Sequence, residues 1–191
     1  MRYLEDFQTG QRYQLGEHTV TAKEILAFAE QWDPQRFHID PDQARDTPFG
    51  GLIASGWHTT SIFMRLYVTS LLRDSSGIGS PGVDDIRWKE PVRPGDTLIA
   101  TVEIEKITPS LGRPDRGTVK PRCELTNQHG RSVLTMYLHS SFLRRPPPDP
   151  AGAQAVETVP QPMWCLPDSE QRSLEWGMEM SERNRNYRGR P

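Results

Sequence analysis

The chain has 191 residues, with 23 Lys and Arg against 25 Asp and Glu and a formal net charge of -2. That length suits one domain burying about two thirds of its unfolded surface, with a tail at most. The balanced charge leaves no global field to recruit nucleic acid or an acidic partner, and two cysteines without metal or redox spacing, Cys123 and Cys165, exclude a disulfide framework.

The first residues, MRYLEDFQTGQRY, carry acids and no apolar segment, unlike a secretory signal. Residues 10–21 read as a strand with polar interruptions. Thr21 is then placed as an N-cap, with Glu24 three positions on as in a capping box, and Ile25, Leu26, Phe28 and Ala29 follow at helical spacing. The spacing predicts a helix over about 22–32. Pro34 disfavours helical angles at Asp33, so the helix is expected to stop there.

DPDQARD, residues 40–46, can add another turn or two before Thr47-Pro48. The glycines at 50, 51 and 56 predict a loop, and Ile62, Phe63, Leu66, Tyr67, Leu71 and Leu72 then predict a long, largely buried helix over about 56–73. His58, Thr59, Thr60, Ser61 and Arg65 interrupt this most apolar stretch, so no membrane span is expected and a cytoplasmic location is the default.

After a turn-rich SSGIGSPGVDD, four strand-like runs cover residues 85–92, 96–110, 117–130 and 131–144, the last three forming an antiparallel meander. A helix-rich half followed by a strand-rich half predicts an α+β domain over residues 1–145. Eight of the 17 prolines lie at Pro146 or beyond. Residues 146–191 are therefore expected to be an extended or disordered Pro-rich tail, with Met163, Trp164 and Leu166 as a docking cluster.

The chemistry concentrates where the first helix is forced to stop. Asp33 and His38, five positions apart, offer a carboxylate and an imidazole; on spacing alone the same residues also suit a turn former and a satisfied polar histidine. Gly56 strengthens the functional reading. If the long helix begins there, its first N–H groups lack partners and can hold a developing oxyanion. Acid, base and helix terminus together fit the addition of water to a double bond conjugated to a thioester.

Ser55 reads as the cap of that helix, with a secondary reading as a thioester contact, and Trp57 as either pocket lining or core. His58 and His38 lack a third ligand at suitable spacing, so no metal is expected. His18, His129 and His139 receive no role, and Pro94-Gly95-Asp96 reads as a turn.

Three ordered blocks, F-A-x2-W-D-P-Q-R-F-H-I-D, F-G-G-L-I-A-S-G-W-H and P-V-R-P-G-D-T-L, resemble the MaoC-like dehydratases, relatives of the R-specific enoyl-CoA hydratases, over about residues 5–143. The resemblance implies a hotdog fold, a long central helix wrapped by a curved antiparallel sheet. It also implies a dimer whose interface helps form an acyl-CoA tunnel, and a reaction without metal or organic cofactor. By it, Asp33 and His38 fall on the family's catalytic pair and Gly56 on its oxyanion-hole glycine, 18 residues after the histidine.

Ser55, Trp57 and Gln35 are the substrate-binding candidates. Gln35 and Arg36 depart from the hydratase motif D-x-N-P-x-H, and Met64 stands where some relatives carry a serine, which puts substrate preference in doubt. The expected partners are an acyl-CoA or acyl-carrier thioester and a second copy of the chain, since a short sheet with free edges favours a homodimer or higher even oligomer. The expected activity is enoyl thioester hydration and dehydration, a lyase reaction. The alternatives are a non-catalytic acyl-binding subunit and an acyl-CoA thioesterase.

Overall fold

A computed structural model describes residues 1–147. Nearly all of the expected tail, including Cys165 and the Met163, Trp164 and Leu166 cluster, therefore lies outside the described residues.

The first strand, β1 (Arg12–Thr19), leads into α1 (Ala22–Trp32). Thr21 caps α1 as its type suggests, its side chain accepting the Glu24 N–H at 3.2 Å. The reciprocal half of the capping box does not form, because the Glu24 carboxylate instead lies 2.7 Å from His18 Nε2 on β1. The helix ends where proline demands it: Asp33 has φ −153° and ψ 68°, outside the helical region, and its N–H closes the last turn on Ala29 O at 2.9 Å.

Two short helices follow, α2 (Arg36–Ile39) and α3 (Pro41–Arg45), the second capped by Asp40, which accepts from Asp42 and Gln43 N–H. The central helix α4 (Gly56–Tyr67) begins at the expected glycine. Instead of running regularly to residue 73, it widens into a π-helical turn over Val68–Leu72. There the Thr69 hydroxyl donates back to the Arg65 and Leu66 carbonyls and the Ser70 hydroxyl donates to Leu15 O, competing with the regular ladder.

Four more strands complete the sheet: β2 (Gly77–Trp88), β3 (Thr97–Pro109), β4 (Arg116–Thr126) and β5 (Ser132–Leu143). Their order is β1-β3-β4-β5-β2, every neighbouring pair antiparallel. The β3-β4-β5 meander matches the sequence expectation; β2 does not. The SSGIGSPGVDD stretch, expected to be turns, supplies most of β2, while residues 89–92 are not strand.

A Gly-, Ser- and Pro-rich segment can act as a strand here because β2 is an edge: it pairs only with β5 and does so with three register shifts. Pro81 is tolerated in such a place and not in a central strand. At the other edge, β1 crosses from Gln14 to Gly16 through a register shift, with Gly16 at φ 103°, where a side chain would be strained.

Alternation decides which sheet face meets the helix. Along β4, Val119, Cys123 and Leu125 point inward between half-exposed neighbours, and Leu98, Ala100, Val102 and Ile104 do the same on β3. Ile62, Phe63 and Tyr67 of α4 pack onto this face, with Phe63 and Tyr67 stacked at 5.9 Å. Burying each such side chain contributes about 1.5–3 kcal/mol. This is the hotdog arrangement, and it holds the N-terminus of α4 at one end of the sheet.

Phe63 is fully buried at the centre of that contact. Phe63→Ala is expected to cost about 3–5 kcal/mol; urea unfolding checks this, with a lower midpoint and an unchanged slope.

Candidate active site

His38 is buried on α2, and its ring is locked by two contacts. Phe37 meets it edge-on at 4.5 Å, and Nδ1 lies 2.8 Å from Ile53 O. A carbonyl only accepts, so Nδ1 carries the proton, and in the neutral ring Nε2 presents a lone pair. The return bond from Ile53 N–H to Phe37 O at 3.1 Å clamps α2 against the loop before α4.

His38 Nε2 faces Asp33 Oδ2 at 3.5 Å. Each carboxylate oxygen of Asp33 already has a donor: Gln35 Nε2–H donates to Oδ1 at 2.8 Å, and the Ser55 hydroxyl donates to Oδ2 at 2.7 Å. Burial works against the charge on Asp33. The hydrogen bonds from Ser55 and Gln35 and the nearby His38 outweigh it and hold the carboxyl below its usual range.

Ser55 also caps α4, accepting the Trp57 N–H at 3.2 Å. The N–H of Gly56, the first helical residue, has no acceptor among the described residues. It points out of the positive end of the helix dipole.

A cavity of about 350 Å³ opens beside these groups, lined by His38, Gly56, Phe37, Phe49, Trp88 and Val133 among others, with Lys89 and Glu90 also on its wall. The lining is mostly apolar with a few polar groups, the composition of a small-molecule pocket.

The candidate residues therefore divide. His38 and Gly56 line the cavity. Asp33 does not; it faces the lining residue His38, and Ser55 ties it to the start of α4. Gln35 and Ser55 hold Asp33 and are not lining residues. Trp57 is not lining either, being 55% exposed on the outward side of α4.

The tryptophan in the cavity wall is Trp88, from the end of β2, which sequence reasoning treated only as a strand residue. Its Nε1–H donates to Thr60 Oγ1 at 3.2 Å, and its ring lies so close to Gly56 that a Cβ there would sit 2.5 Å from it. Nothing in either short motif signals this contact between residues 32 positions apart.

Arg36 is exposed, and Met64 packs against the core. His58 is stacked on Phe28 at 4.8 Å with its Nδ1 unpartnered; burial pushes its pKa down, only partly offset by Glu24. Among the described residues, no trio of His, Cys, Asp or Glu is grouped as metal ligands, and no helix is long and apolar enough to cross a membrane.

Residues 6–120 match the family model described as a MaoC-like domain. The crystal structure of the MaoC-like dehydratase from Rhodospirillum rubrum is 44% identical with a TM-score of 0.72, over 76% of this chain and 99% of that one. The (R)-specific enoyl-CoA hydratase of Rhodospirillum rubrum is 32% identical over 111 residues, 57% of this chain and 74% of its own. The uncharacterized protein YdeM of Bacillus subtilis is 31% identical over 101 residues, 53% of this chain and 72% of its own.

The contact between Gly56 and Trp88 is testable without a substrate. Gly56→Ala is expected to push the Trp88 ring aside and cost about 1–3 kcal/mol through overpacking. Tryptophan fluorescence should report the displacement, and Gly56→Ala should cost much less in a Trp88→Ala background than in the native chain.

Proposed function

Since the chain belongs to the MaoC-like domain family, we propose that it adds water reversibly across the double bond of an enoyl thioester, as an acyl-CoA hydratase/dehydratase. The observation that carries this reading is the facing of His38 Nε2 and Asp33 Oδ2, 3.5 Å apart, next to a cavity whose wall includes the Gly56 helix terminus.

In this reading the thioester oxygen accepts the free Gly56 N–H, so electrons displaced from the double bond can move onto it as an enolate. The Asp33 and His38 pair takes a proton from water as its oxygen bonds to the β-carbon. The pair then returns a proton to the α-carbon as the enolate collapses. Water is consumed, the pair is restored, and no electron acceptor is needed. Both transfers pass through this one adjacent pair, so on this reading both occur on one face of the alkene.

The partners proposed are an acyl-CoA or acyl-carrier thioester and a second copy of the chain. The exposed edge of β2, with Val83 at 40% exposure, is the surface a second sheet would extend. An acyl-binding subunit without turnover is the second reading, favoured by one observation: Asp33 is absent from the cavity lining and both its oxygens are engaged.

Purified protein is expected to consume the absorbance of crotonyl-CoA or a longer enoyl-CoA, and Asp33→Asn and His38→Ala are each expected to lower turnover by about 10²-fold or more. Full activity in both variants would overturn the mechanism, binding without turnover would favour the second reading, and release of free CoA would indicate thioester hydrolysis. Because the Asp33 carboxyl is held below its usual range, the part of the acid-side loss of turnover that comes from protonating Asp33 should appear below the ordinary carboxylate range.

A further inference from the structure

We propose that Ser55 is the positioning residue of the site: it fixes the aim of Asp33 and leaves the Gly56 N–H open, with one hydroxyl group performing both tasks. The inference rests on the hydratase reading for its catalytic consequence and on geometry alone for the rest.

A serine hydroxyl has one proton and two lone pairs. Here the proton goes to Asp33 Oδ2 at 2.7 Å and a lone pair receives the Trp57 N–H at 3.2 Å. Ser55 is 1% exposed, so water does not compete for either role. The first bond is charge-assisted and short, the stronger of the two.

Gln35, the other donor to Asp33, is exposed and only two residues away in the chain. It moves with the carboxylate it holds and shares it with solvent. Ser55 reaches Asp33 from 22 residues away, across the join between α1 and α4. It is thus the donor that fixes Asp33 relative to the rest of the fold.

The choice of oxygen matters as well. Oδ2 is the atom that faces His38 Nε2; with Ser55 on one of its lone pairs, the other remains available on the imidazole side. Without that donor the carboxylate can rotate about χ2, a broad torsion, and either oxygen can turn away from His38. At the helix end, the cap on Trp57 leaves the preceding amide, Gly56 N–H, to a ligand. The acid end of the pair and the oxyanion donor are therefore referenced to a single helix terminus. The same hydrogen bond favours the ionised carboxyl.

The test is a pH titration of the Asp33 carboxyl carbon by NMR in the full chain, with Asp33→Asn identifying the resonance. Ser55→Gly removes the donor yet keeps a residue type accepted at N-caps. Ser55→Cys keeps the shape with a weak S–H donor, and decides the matter should the glycine variant fail to fold. The expected result is an upward shift of the Asp33 midpoint in both, larger for glycine, with kcat for enoyl-CoA hydration reduced about tenfold, KM little changed and the acid limb of the rate profile moved upward in step. An unmoved midpoint in a folded variant would overturn the role of Ser55, whatever happens to the rate. Absence of turnover in the wild-type chain would overturn the hydratase reading, while the titration would still decide the positioning role.

Discussion

Pro34 forbids α1 to run past Asp33, and the geometry of the site depends on that break. A residue before proline is steered away from helical angles, so Asp33 leaves the helix with an extended φ of −153° and its side chain free of the helical surface. The chain then has room for a single turn, α2, before α3, and that turn brings His38 back towards the carboxylate it has just passed. Had α1 continued, positions 33 and 38 would lie about 140° apart around one helix, with no shared face. The acid and the imidazole meet because the helix stops between them.

What the break creates, the rest of the fold holds in place. α4 is pinned along the sheet by Ile62, Phe63 and Tyr67, which sets where its first turn ends. The loop leading into it is fastened on both sides: Ile53 exchanges hydrogen bonds with Phe37 and His38, and Ala54 N–H donates to Val92 O at 2.8 Å. Ser55 and Gly56 follow at once, so the helix terminus arrives beside His38 with little freedom left. Trp88 closes the remaining side and restricts position 56 to glycine on steric grounds, independently of any need for its amide.

How much of this was legible in the sequence follows from how local each feature is. The cap at Thr21, the stop at Asp33 and the start at Gly56 are decided by a few neighbouring residues, and all fall where the residue types place them. The meander is equally readable, since β3, β4 and β5 alternate cleanly and are joined by short turns. β2 was misread because its composition is that of a turn; only pairing with β5, some fifty residues later, makes it a strand. The hold of Ser55 on Asp33 and the approach of Trp88 to Gly56 are likewise contacts between distant segments, which no spacing rule reports. Glu24 shows the converse: a local capping rule gives way to a partner, His18, brought close by the sheet edge.

The proton inventory of the pair gives the remaining step. His38 spends its Nδ1 proton on Ile53 O, so in the neutral ring Nε2 is an acceptor, and Asp33 when ionised has only acceptors to offer. Two acceptors facing each other at 3.5 Å are unfavourable unless a donor satisfies them, either the protonated imidazole itself or a water that gives one O–H to each. On the proposed reading the first state is the acid and the second holds the attacking water, and passing between them requires moving one proton across a short gap. Hydration and dehydration are then the two directions of that exchange. Ser55 and Gln35 bias it by keeping the negative charge on Asp33.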